Sequence, residues 1–144
     1  MSAAPQIVYE PTPDPADMKA LGDALTVFNE AKAGPMNYER MFFSVRDADG
    51  AFRGGLLGAT YWGWCFVSIL FVDEACRGTG VGGQLLDRAE ALALERGATH
   101  IYLDTFSFQA EPFYARRGYE VFGRLDAFPP GHGRAGMRKP LSTA

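Results

Sequence analysis

Apolar positions change rhythm several times along this chain, and each change marks an element. Ile7 to Tyr9 is a short apolar run, expected as a first strand. Asp14-Pro15-Ala16-Asp17 then reads as an N-cap, a proline at the first helical position and a first-turn acid. Behind it, Met18, Leu21, Leu25 and Phe28 recur at helical spacing until Gly34-Pro35, so a core helix is expected there. Met41 to Arg46 and Phe52 to Tyr61 form a β-hairpin around the turn Asp47 to Gly50. After Tyr61-Trp62-Gly63-Trp64, the nearly all-apolar run Cys65 to Val72 predicts a strand covered on both faces. Its polar interruption, Ser68, is either a satisfied strand hydroxyl or a residue facing a substrate cleft.

The rhythm turns helical again at Val81, Leu85, Ala89 and Leu92, closing at Arg96-Gly97. Ile101 to Leu103 follows as a strand parallel to the previous one, because strand, helix and strand in this compass form a right-handed crossover. Ala110 to Arg117 predicts one short helix with Gly118 at its left-handed end. Val121 to Leu125 and Arg134 to Lys139 are the last strands. Hairpins flanking one βαβ unit predict a mixed α/β sheet within a single domain spanning residues 1–144.

Composition narrows the function more than the fold. A formal charge of −3 gives no basic footprint for nucleic acid. No apolar run reaches ~18 residues and Met1 to Pro5 does not read as a leader, so a cytoplasmic protein with no membrane partner is expected. Cys65 and Cys76 form no C-x-x-C pair, and with His100 and His132 they show no ligand spacing for a metal.

The chemistry concentrates where the apolar run meets the following helix, at Ile69 to Gly83. Gly78, Gly80, Gly82 and Gly83 leave a surface without side chains, on which the amides of Thr79 to Gly83, Val81 included, can converge on an anion. A phosphate-bearing cofactor is the expected guest. A nucleotide-hydrolase loop would end in Gly-Lys-Ser/Thr, but Gly82-Gly83 is followed by Gln84. Gly78, Gly80 and Gly83 match the dinucleotide fingerprint G-x-G-x-x-G, with Asp104 about 20 residues on as a ribose-binding acid. Arg77, Gly80 and Gly82 also match Arg/Gln-x-x-Gly-x-Gly/Ala behind the strand Leu70-Phe71-Val72.

That last pattern resembles the GCN5-related N-acetyltransferases, the GNAT family. Ala110-x-x-Phe113-Tyr114-x-x-x-Gly118-Tyr119 resembles a second signature of the same family, in the expected order. Glu74 departs from the resemblance, standing where the family often has proline. The resemblance implies a GNAT-like acyl-CoA N-acyltransferase fold, mostly antiparallel with one central crossover. It implies acetyl-coenzyme A as cofactor, with its pyrophosphate on the glycine turn and Arg77 anchoring the turn or reaching a phosphate oxygen. It further implies a bulge in the strand before the turn, so that main-chain amides of Leu70 to Val72 face the thioester carbonyl, and it makes Tyr114 the general acid. Asn37, Tyr38 and Glu39 would border the acceptor, Ser68 would face it, and relatives of this kind are often homodimers.

An amine acceptor must be presented neutral. With a pKa of ~10.4, deprotonation at neutral pH costs about 4.6 kcal/mol. Glu39, Asp104, His132 or a water near Ser68 could serve as base, with His132 closest to neutral in intrinsic pKa. The expected activity is therefore N-acetyl transfer to an amine of a small molecule or peptide. A small nucleotide-binding oxidoreductase and a non-catalytic acyl-CoA sensor are the competing readings.

Overall fold

The computed structural model describes residues 3–142. They divide into two compact units, which separate between Met36 and Asn37.

The first unit holds one helix, α1 (Pro15–Ala33). It starts where the sequence dictates, with the Asp14 carboxylate accepting from the Ala16 amide at 2.9 Å and Pro15 in the first turn. It stops at Gly34, φ 88°, whose N–H donates to the Glu30 carbonyl at 2.9 Å. Two expectations fail in this unit. Ile7 to Tyr9 forms no strand and is exposed, for an apolar triplet supplies no partner for its backbone groups. The stripe Met18, Leu21, Leu25 and Phe28 lies on a helix as expected, yet all four are exposed. Periodicity marks a stripe and leaves its cover undetermined.

The second unit is a six-stranded mixed sheet in the order β1-β2-β3-β4-β6-β5. Its strands are β1 (Glu39–Arg46), β2 (Phe52–Tyr61), β3 (Trp64–Val72), β4 (His100–Phe106), β5 (Glu120–Asp126) and β6 (Gly133–Pro140). Only β3 and β4 run parallel, joined by the crossover helix α2 (Val81–Glu95). A short helix, α3 (Glu111–Arg116), precedes the β5–β6 hairpin. Leu85, Leu86, Ala89 and Ala93 of α2 bury against Cys65, Val67, Ile101, Leu103 and Met137 of the sheet. Arg96 fastens the end of α2 to the start of β1, donating to the carbonyls of Glu39 (3.0 Å) and Arg40 (3.1 Å).

The expectation that β3 is covered on both faces holds for the core face and fails on the other. Cys65 and Val67 are buried, whereas Ile69 and Phe71 are 56% and 57% exposed. The register explains the change. Gly58 of β2 pairs with Val67 and Leu57 pairs with Ile69, so Ser68 is an extra, unpaired residue: a β-bulge. Side chains alternate faces along a strand, and one inserted residue reverses their phase. Leu70 and Val72 therefore pack toward the core occupied earlier by Cys65 and Val67.

Candidate active site

The same bulge opens the site. Parallel pairing of β3 with β4 runs from Trp64↔His100 to Val67↔Leu103 and ends there. Beyond Val67 the strands splay, and the edge of Ser68 to Val72 that would meet β4 is left without a strand partner. Gly58 stands opposite the bulge because a Cβ there would come 2.5 Å from the Phe66 carbonyl oxygen. The Ser68 hydroxyl donates to the Leu57 carbonyl at 3.0 Å, tying the bulge to β2.

A cavity of about 820 Å³ occupies the splay. At one end it is bounded by Leu70, Val72, Arg77, Gly82, Phe113 and Tyr114. Phe66, Ser68, Asp104, Phe106, Phe108 and Arg134 form the other end. A smaller cavity of about 210 Å³ lies along Cys76 to Gly83.

The chain between β3 and α2 is a braced turn. Glu74 to Cys76 makes a single 3₁₀ turn, so a glutamate at the position often held by proline still starts an ordered bend. Arg77 Nε donates to the Val72 carbonyl at 3.0 Å, and the Thr79 hydroxyl donates to the Cys76 carbonyl at 2.6 Å. Gly80 then caps α2 in the left-handed conformation, φ 81°, which a side chain would oppose. The first helical bond runs from the Gln84 amide to the Gly80 carbonyl, 3.1 Å, leaving the amides of Val81, Gly82 and Gly83 at the positive end of the helix. A Cβ on Gly82 would meet nothing closer than 3.9 Å, so the space over these amides is open. Its size, its donors and its lack of side chains fit the pyrophosphate of coenzyme A.

Tyr114 approaches from α3. Its side chain is buried, edge-on to Phe113 and Tyr119, and burial pushes its pKa up to about 12. The hydroxyl therefore keeps its proton throughout the neutral range. The hydroxyl of the neighbouring Tyr119 donates to Glu90 at 2.9 Å, and Lys139 holds the other oxygen of that carboxylate at 2.8 Å. Arg117 secures α3 to the glycine turn: Nη2 donates to the Gly83 carbonyl at 3.1 Å and to Asp87.

Of the residues singled out in the sequence, the fold gathers Leu70, Phe71, Val72, Arg77, Gly82, Ser68 and Tyr114 around the larger cavity. Gly78, Gly80, Val81 and Gly83 line the smaller one, and Thr79 braces the same turn. Tyr38 stands apart. It precedes β1 at the Tyr61–Trp64 end of the sheet, its ring 6.0 Å from that of Tyr61, because the β1 register carries it away from the splay. His132 does not line the cavity; it lies in the β5–β6 loop with its ring edge-on to Phe108, which does. Arg134 does not stand out in the sequence, and Arg117 reads there only as half of a solvated basic pair or a contact to the coenzyme's distal phosphate, since the partners of both lie some 30 residues away.

A family model described as the acetyltransferase (GNAT) family matches residues 8–119. The chain belongs to the GNAT family. It is 36% identical over 121 residues to an acetyltransferase of Agrobacterium fabrum, covering 84% of this chain and 88% of that one. Over 83 residues it is 42% identical to the blasticidin-S acetyltransferase of Streptomyces morookaense, covering 57% of this chain and 61% of that protein. The crystal structure of an acetyltransferase from Bacillus cereus superposes with a TM-score of 0.83 at 29% identity, covering 93% of this chain and 98% of the other. As a GNAT enzyme the protein is an acyl-CoA-dependent N-acetyltransferase that uses acetyl-coenzyme A. The dinucleotide reading of the glycines falls with this result, and Asp104 lies at the cavity end away from the glycine turn, bound to Arg134 at 2.9 Å.

Proposed function

We infer that the enzyme acetylates a primary amine of a small molecule that enters the splay beside Ser68, Phe66 and Phe106. The observation that carries this reading is the continuity of the cavity. One space joins the glycine turn and Tyr114 to a separate end that mixes aromatic rings with Ser68, Asp104 and Arg134. A cofactor and an acceptor can thus meet at the splay from opposite sides, as direct transfer in a ternary complex requires.

Bound acetyl-coenzyme A supplies an activated acyl group and a thiol leaving group. The chain's own residues divide the remaining work. Amides of the α2 N-terminus hold the pyrophosphate, and main-chain amides on the free edge of Leu70 to Val72 orient the thioester carbonyl. The rings of Phe66 and Phe106 partly desolvate an amine held between them and so favour its neutral form. Tyr114 Oη holds a proton and gives it to the departing sulfur. Ser68 borders the acceptor, while Asp104 is the carboxylate nearest to hand for proton removal. The name of the Streptomyces relative, a blasticidin-S acetyltransferase, supports a small molecule over a peptide as acceptor.

The test is release of free thiol from acetyl-coenzyme A on addition of each member of a small-amine panel, with N-acetylated product identified by mass spectrometry. Amine-dependent thiol release with formation of the amide is expected. Acceptors acetylated only on oxygen, or only as folded proteins, would defeat the reading.

A further inference from the structure

The acceptor end of the cavity carries a charged group that the transfer step leaves unused. Arg134 of β6 sits opposite Phe106 of β4, and its guanidinium carbon lies 5.3 Å from the ring centres of both Phe106 and Phe128. These contacts fix the plane of the group and leave hydrogen bonding to its edges. Nη2 donates to Asp104 Oδ2 at 2.9 Å. Nε is buried with no partner among the described residues, so no ligand reaches that side. The donors that remain for a ligand are therefore those at the end of the guanidinium, Nη1 and the second N–H of Nη2.

Chemistry selects what this edge can take. Two coplanar N–H donors on a rigid cation match the paired oxygens of a carboxylate. Asp104 already neutralises the local charge, so such a ligand is held by directed hydrogen bonds more than by net attraction. A cationic group facing Nη1 would meet donors, not acceptors, since the acceptor of the pair, Asp104, lies on the Nη2 side. Both side chains of the pair are 34% exposed, accessible to a solute yet partly shielded from solvent. The remaining cation lining the cavity, Arg77, is committed to the Val72 carbonyl at the cofactor end.

We propose that Arg134 is a specificity-determining residue that binds a carboxylate on the acceptor, making the acceptor class an amino acid or a close derivative that retains its carboxyl group. The proposal rests on the inferred transfer to a small amine. It places the acceptor carboxylate on Arg134 and the acceptor nitrogen toward Ser68 and the splay.

Matched acceptors that differ by one carboxyl group test it: arginine against agmatine, lysine against cadaverine and phenylalanine against phenethylamine. Thiol release is measured for wild type, Arg134→Gln and Arg134→Lys. Arg134→Gln should shrink the preference for the carboxylate member, as a ratio of kcat/KM, by about tenfold or more, the worth of a charge-assisted hydrogen-bonded pair. The KM for acetyl-coenzyme A should not move. Arg134→Lys, which keeps the charge without the fork, should retain part of the preference and covers the case in which the glutamine variant does not fold. Comparing ratios between enzymes cancels differences in amine pKa within a pair. An unchanged ratio in both variants, a wild-type preference for the decarboxylated amines, or acetylation of no carboxylate-bearing member would overturn the proposal. Thiol release with the amines that lack a carboxyl group separates the two levels: if no amine of either kind supports it the inferred transfer fails, and if amines support it without regard to Arg134 only the assignment of Arg134 does.

Discussion

The guanidinium of Arg117 occupies the place that a side chain on residue 83 would need. A Cβ on Gly83 would lie 2.8 Å from Nη1, while Nη2 donates to the Gly83 carbonyl. The helix that carries Tyr114 is thereby latched to the first turn of α2, whose N-terminal amides face the smaller cavity.

The latch predicts coupled substitutions. Gly83→Ala should destabilise the wild type, because Arg117 must move, but stabilise an Arg117→Ala background by up to ~1 kcal/mol through better helix propensity. Denaturant titration of the two single variants and the double variant reads the coupling. Additive effects would show that Arg117 does not depend on the missing side chain.

Gly82 separates folding from binding. With 3.9 Å of clearance to Phe113, Gly82→Ala should fold normally, yet its methyl group would occupy the approach to the amides. Calorimetry should show coenzyme A affinity reduced at least several-fold in Gly82→Ala and lost in Gly82→Asp, where a carboxylate also repels phosphate. Wild-type affinity in the aspartate variant would move the pyrophosphate elsewhere.

Tyr114→Phe should lower kcat at least tenfold while leaving coenzyme A affinity intact. Because the hydroxyl ionises only near pH 12, activity should show no loss attributable to it between pH 6 and 9. Unchanged turnover across that range in the variant would remove Tyr114 from the chemistry.

Alkaline stability should reveal the buried acids. Burial pushes the Cys65 thiol from 9.0 up to about 11 and the Tyr114 phenol from 10.0 up to about 12. The unfolded chain therefore gives up these protons first. Their contribution is complete below pH 9 and declines as pH rises through 9 to 12, with each group adding a slope of about 1.4 kcal/mol per pH unit between its two pKa values. Cys65→Ala should start less stable but lose stability more slowly between pH 9 and 11 in melting experiments. Parallel curves for the variant and wild type would count against the shift.

The sequence carries the parts of the site that depend on short-range order. Asp14 and Pro15 announce α1, Gly78 to Gly83 announce the cofactor turn, and Ala110, Phe113 and Gly118 announce α3, because caps, turns and helix starts are encoded within a few residues. A bulge leaves a weaker trace. Ser68 is visible as a polar interruption in β3, but whether a residue is paired or extra is decided by the register with β2, a property of two strands together. The partners of Arg134 and Arg117 are hidden for a similar reason, since Asp104 and Asp87 are brought to them only by the sheet order and the packing of α3. The exposed stripe of α1 marks the converse limit: a pattern states which side chains share a face and leaves open what meets them.

Ser68 has a consequence that reaches beyond the hydrogen bond it makes. An extra residue in a strand acts as a shift of reading frame, with everything downstream translated onto the opposite face. Pairing Ser68 as an ordinary strand residue would turn Ile69 and Phe71 toward the core, turn Leu70 and Val72 away from it, and allow β3 to zip against β4. The cleft and the correct phasing of its walls are thus inherited as one unit, gained or lost in a single step.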